Sequence, residues 1–89
     1  MDSGNIIYQI TDRHIIGFAE ELQQREYSSG TIDNYIRSVK AHASWTGGKL
    51  SKKHIMAWKK HLAAQYAPAT VNAMLAGLNC FLDAQGWND

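Results

Sequence analysis

Two helix starts hold most of the polar chemistry of this 89-residue chain. At the first, Ser28 and Thr31 precede Asn34, Arg37, Ser38 and Lys40. At the second, Thr70 precedes Asn72 and Asn79, and Thr70 echoes Thr31 in its setting. A helix start leaves backbone N–H groups free and turns the positive end of the helix dipole outward, which suits a phosphate. Arg37 and Lys40 add full positive charge, and with Asn34 and Ser38 they are expected on the solvent side of their helix. Ser28 and Thr31 are also ordinary capping residues, and by pattern alone capping is the stronger reading of them.

The other reactive residue types form no comparable set. His14, His42, His54 and His61 include no pair at the i, i+4 spacing that puts two metal ligands on one helix face, and Cys80 has no second cysteine. His54 and His61 share a face and read as a surface pair. A Ser-His-Asp triad needs a nucleophile on a strained turn and an oriented base, and no stretch supplies that context. Cys80 lies among small and apolar residues and reads as packed, while Gly47-Gly48 reads as a helix stop rather than a phosphate loop. The expectation is therefore no cofactor, no metal and no catalysis. Trp45, Trp58 and Trp87 could stack on bases. Trp58 falls on an apolar stripe and is expected in the core, and the other two sit at helix ends.

The formal charge of +1 conceals a strong asymmetry. Residues 1–27 set Arg13 and Arg25 against Asp2, Asp12, Glu20, Glu21 and Glu26. Residues 28–66 set Arg37, Lys40, Lys49, Lys52, Lys53, Lys59 and Lys60 against Asp33 alone. Residues 67–89 hold only Asp83 and Asp89. The basic middle is compatible with a polyanion partner. From charge alone a solvated helix face is the stronger reading. The start Met1-Asp2 lacks the basic and apolar run of a secretory leader, and no apolar stretch is long enough for a membrane span, so a cytoplasmic location is expected, with no membrane partner.

Four helices position these groups. Thr11 or Asp12 caps the first, which runs to about Glu26 with Ile15, Phe18, Ala19 and Leu22 as its apolar stripe. Gly17 weakens it and is read as a point of close packing. Ser28 caps the second, to about Thr46, with Ile32, Tyr35, Ile36, Val39 and Ala43 inward. Ser51 caps the third, about 52–65, with Ile55, Trp58 and Leu62 inward and its lysines outside. Pro68 opens the fourth, to about Ala84, with Val71, Met74, Leu75, Leu78 and Leu82 inward. Its far side carries Ala69, Ala73, Ala76, Gly77 and Cys80, small residues that permit close approach. Residues 1–10 are expected as a flexible segment and 11–89 as one domain. No run alternates long enough to predict a strand, so the fold class is all-α, a compact bundle of four or five helices.

In order and spacing, five stretches resemble the N-terminal SAM-like, core-binding domain of tyrosine recombinases, the phage integrase family. They are Ser28-x-x-Thr31-Ile32-x-x-Tyr35, then Trp45, then Leu50-Ser51-x-x-x-Ile55, then Ala67-Pro68-Ala69-Thr70-Val71-Asn72, and last Leu78-x-x-Phe81-Leu82-x-x-x-Gly86-Trp87. Ala67 departs from the serine cap frequent in the family, and Gly30 is unusual within a first helical turn. The resemblance implies a SAM-like orthogonal bundle that grips one side of a recombination half-site in double-stranded DNA, with the second and fourth helices toward the DNA. On that reading Arg37 and Lys40 neutralise phosphates, Asn34, Thr70 and Asn72 make positioning or base-edge contacts, and Ser28, Thr31, Ser38 and Asn79 are further expected DNA-binding residues. Lys49, Lys52 and Lys53 would reach flanking backbone. It implies as partners a catalytic domain of the same longer chain, for which 89 residues leave no room, and neighbouring recombinase protomers. A competing expectation is a helical protein-interaction module that uses the small-residue face of the fourth helix.

Overall fold

The computed structural model describes residues 6–87. In chain order it contains β1 (Tyr8–Gln9), α1 (Asp12–Gln24), α2 (Ser29–Thr46), β2 (Lys49–Leu50), α3 (Lys52–Ala63) and α4 (Pro68–Gln85). The four expected helices are present, and α1 and α3 end about two residues earlier than the periodicity suggested. Local chemistry explains the starts. Thr11 Oγ1 accepts the His14 N–H, and His14 Nδ1 accepts the Thr11 N–H in return, a reciprocal cap. Ser28 Oγ accepts the Thr31 N–H at 3.2 Å, and Ser51 Oγ accepts the His54 N–H at 3.3 Å. Ala67 supplies no side-chain cap, and Pro68 opens α4 instead. Ser51 is buried and also lies 2.6 Å from His54 Nδ1. Ser51→Ala is expected to cost about 1 kcal/mol, which lowers the melting temperature by ~4–8 °C in a domain of this size. Calorimetry checks it, and an unchanged melting temperature would mean that the cap contributes nothing.

The strands are the departure from an all-helical reading. Tyr8 and Gln9 pair antiparallel with Leu50 and Lys49, and the Ile10 N–H donates to the Gly48 carbonyl at 2.7 Å. Part of the segment read as flexible is thus tied to the domain, with Ile10 buried; the remainder, residues 1–5, lies outside the described residues. Gly47 and Gly48 make the connection possible. Both have φ in the left-handed region, and a side chain on Gly48 would run into Gln9. At the other end Trp87 stacks on Tyr8, with ring centroids 4.5 Å apart and planes 8° apart. One aromatic cluster therefore joins the first and last described elements.

The core joins Phe18 and Leu22 of α1, Val39 of α2, Leu50 of β2, Trp58 and Leu62 of α3, and Val71, Leu78, Phe81 and Leu82 of α4. Trp58 is in the core, as its stripe required. The principal packing is α2 on α4. Its contacts run in opposite chain directions: Tyr27 lies near the Cys80 thiol, Gly77 meets Tyr35 and Ser38, and Met74 shares a cleft with Ala41. Gly77, read as part of an outer small-residue side, faces α2, where its missing side chain allows the approach. Gly17, read as a close-packing point, has nothing within 4 Å of where a Cβ would stand.

Candidate nucleic-acid interface

On α2, Asn34, Arg37 and Lys40 are exposed and lie on one side of the helix with Ser44 and Asp33. Arg37 and Lys40 have no ion-pair partner among the described residues; the ion pair found there joins Arg25 to Glu21 across one turn of α1. Ser38 does not join this face. It is 6% exposed, its hydroxyl donates to the Asn34 carbonyl at 2.9 Å, and its side chain packs where Gly77 crosses. The expectation of a solvent-side Ser38 is corrected: the arc that α2 buries is wide enough to include it. Ser28 and Thr31 are engaged with each other, since the Ser28 hydroxyl donates to Thr31 Oγ1 at 2.9 Å while it caps the helix.

On α4, Thr70, Asn72 and Asn79 are all exposed but do not share a face. Asn72, Ala76, Asn79 and Asp83 recur at helical spacing and form the outermost stripe. Thr70 lies seven residues before Gly77, on the line of the helix that meets α2. The structure thus brings Thr70 toward the α2 side and keeps Asn72 and Asn79 apart from it, in company with an acidic residue.

Lys49, Lys52 and Lys53 are exposed, and so are Lys59 and Lys60. The last two stand outside the candidate contacts read from the sequence, and their spacing ties them to Lys52 and Lys53. Lys59 follows Lys52 by seven residues and Lys60 follows Lys53 by seven, so each pair shares a line two turns long. Between the two lines stands Met56, 71% exposed. Met56, Ala57, Lys59, Lys60 and Ala63 line a shallow open groove on this face. No Asp or Glu occurs in α3.

Between α2, α3 and the start of α4 lies a cleft of about 460 Å³, whose walls include Ser44, Trp45, His61, Gln65, Tyr66 and Met74. The Trp45 ring lies nearly parallel to the His61 imidazole at 4.9 Å, and Gln65 Nε2 is 3.2 Å from His61 Nε2. His42, by contrast, is buried in the core. Its ring and that of Trp58 meet nearly at right angles, with centroids 4.9 Å apart, and neither ring nitrogen has a hydrogen-bond partner. Burial lowers its pKa to about 4; the Lys49 backbone approaches without completing a hydrogen bond and pulls the other way, and His54 adds a small lowering. The thiol of Cys80 is pushed up by burial, against the opposing hydrogen bond from Tyr27. Both groups favour their neutral forms and belong to the packing. Among the described residues no group of His, Cys, Asp or Glu could hold a metal ion, and no helix is long and apolar enough to cross a membrane.

The model of one protein family, the phage integrase N-terminal SAM-like domain, matches residues 7–84. Comparison with curated proteins and with solved structures found no match. The family match spans most of the chain and covers every helix start described above, so the chain belongs to that family.

Proposed function

We propose that this member of the phage integrase family is the DNA-gripping, core-binding part of a tyrosine recombinase and is not catalytic by itself. The family match over residues 7–84 carries the reading, and the unpaired, exposed cations of the middle segment support it. Arg37 and Lys40 neutralise phosphates from the outer side of α2 and release counterions. Asn34 beside them and Thr70 at the start of α4 make uncharged positioning contacts. The Ser28 and Thr31 hydroxyls act indirectly, by holding the first turn of α2 with its N–H groups outward. Lys49, Lys52 and Lys53 reach backbone flanking that contact. Asn72 and Asn79 turn toward the outer side of α4, away from Thr70, and Ser38 serves the helix contact instead. The remainder of the longer chain supplies the chemistry of strand cleavage, and neighbouring protomers on the same DNA complete the assembly in the cytoplasm of a prokaryotic cell.

The test is an NMR titration of the 89-residue chain with duplex DNA at low and moderate salt. Resonances of α2 and of the Thr70 turn are expected to shift, with affinity falling steeply as salt rises. Arg37→Gln combined with Lys40→Gln is expected to reduce the slope of log K against log salt by about 2. Absence of any shift at low salt overturns the reading. Shifts caused by an acidic protein but not by DNA would favour a protein-interaction module instead.

A further inference from the structure

We propose that α3 is a second DNA-backbone contact, in which a single phosphodiester strand lies along the helix between two rows of lysines. The inference rests on the DNA-gripping reading, in which Lys52 and Lys53 already reach flanking backbone, and adds to it Lys59, Lys60 and the groove at Met56, so that the contact runs along α3. Lys52 and Lys59 form one row and Lys53 and Lys60 the other. At 1.5 Å rise per residue, each row is ~10 Å long. All four are exposed, none is in an ion pair among the described residues, and α3 carries no acidic residue to oppose them. Lys49, one turn of chain earlier in β2, is exposed and extends the cationic surface.

The shape between the rows selects among anionic partners. The groove is lined by Met56, Ala57 and Ala63 with Lys59 and Lys60; by helical angle Met56 and Ala63 fall between the two rows, and Ala57 falls outside the Lys53–Lys60 row. A nucleic-acid strand has the matching cross-section: charged phosphate oxygens on its outer edge and apolar sugar faces between them. Lysine is a flexible point charge without the planar fork that arginine offers a carboxylate, so four lysines without an arginine suit sequence-independent phosphate contact better than an acidic peptide. An anionic membrane is the poorer fit, because interfacial helices bury Trp, Phe or Leu, and this face offers one methionine.

The deciding experiment compares three proteins by fluorescence anisotropy on one labelled duplex across a salt series. They are the wild-type chain, the Arg37→Gln/Lys40→Gln variant, and a variant with Lys52, Lys53, Lys59 and Lys60 each replaced by Gln. Circular dichroism establishes that each is folded, and the substituted positions are exposed. The four-lysine variant is expected to lose at least tenfold in affinity at low salt. Its slope of log K against log salt is expected to become shallower by about 3–4, since each B-DNA phosphate contact contributes about 0.9. If the wild-type chain binds and the four-lysine variant loses no more than about 2 of slope, the amount that Lys52 and Lys53 alone account for, the α3 contact is wrong while the DNA-gripping reading stands. If the wild-type chain does not bind duplex at all, that reading falls and takes the α3 contact with it. Loss of binding to vesicles of anionic lipid, with DNA binding untouched, would also overturn the proposal.

Discussion

Acidifying the protein from pH 7 to pH 4 is expected to remove about 3 kcal/mol of folding stability through His42 alone. The cause is the burial of its imidazole against Trp58 with both nitrogens unbonded. The folded pKa of about 4 lies below the ordinary value of 6.5. Between those values the unfolded chain binds the proton and the folded chain does not, so stability rises with pH across that window. The contribution is complete above about pH 6.5 and is lost as the pH falls to about 4. At about 1.4 kcal/mol per pH unit the full interval is worth about 3.4 kcal/mol, of which about 3 is lost by pH 4, where the folded imidazole is half protonated. Denaturant unfolding at several pH values measures it. His42→Leu separates this residue from the carboxylates, because a buried leucine forfeits no hydrogen bond there and has no proton to bind. That variant is expected to match the wild type within ~1.5 kcal/mol at pH 7 and to lose most of the acid slope between pH 6.5 and 4. A slope equally steep in His42→Leu would show that the imidazole is solvated in the folded state.

The second large effect is at Gly77. A Cβ built there would stand 3.1 Å from both the Tyr35 Cα and the Ser38 Cβ. The Tyr35 contact is with backbone, which cannot rotate aside as a side chain can. Gly77→Leu therefore forces α2 and α4 apart along the contact that dominates the packing, at a cost of about 3 kcal/mol, the upper part of the range for overpacking. Ala76→Leu is the control: Ala76 is exposed one position away, and a surface change of this kind stays within ~0.5 kcal/mol. In thermal melts Gly77→Leu is expected about 15 °C below the wild type, with Ala76→Leu close to it. Equal melting temperatures for Gly77→Leu and the wild type would mean that α2 and α4 do not approach as closely as described.

The two residues also mark where reading the sequence stops. Gly77 sits at helical spacing among Ala69, Ala73 and Ala76, and nothing local distinguishes it from them. Only the antiparallel run of contacts from Tyr27–Cys80 to Ala41–Met74 turns it inward and leaves the alanines in solvent. His42 stands seven residues after Tyr35, so its side of α2 was legible, yet its polarity counts against the core until Trp58 is seen covering it. The candidate interface divides in the same way. The seven-residue spacing of Lys52 with Lys59 and of Lys53 with Lys60 is a property of the sequence. That no acidic group from another element comes within ion-pair distance of them, among the described residues, is a property of the packing.

By itself the sequence determined the helices, because their causes are local: Thr11, Ser28 and Ser51 cap, Pro68 starts, Gly47 and Gly86 stop, and each apolar stripe repeats within a few residues. It also carried the family resemblance that the match over residues 7–84 bears out. Tertiary structure alone decided the pairing of Tyr8 with Leu50, the burial of Ser38 and the inward turn of Gly77. The physical reason is common to all three. A two-residue strand has no period to read, and a helix packed on two sides buries an arc broader than one stripe. Which polar or small residues fall within that arc depends on a partner distant in the chain.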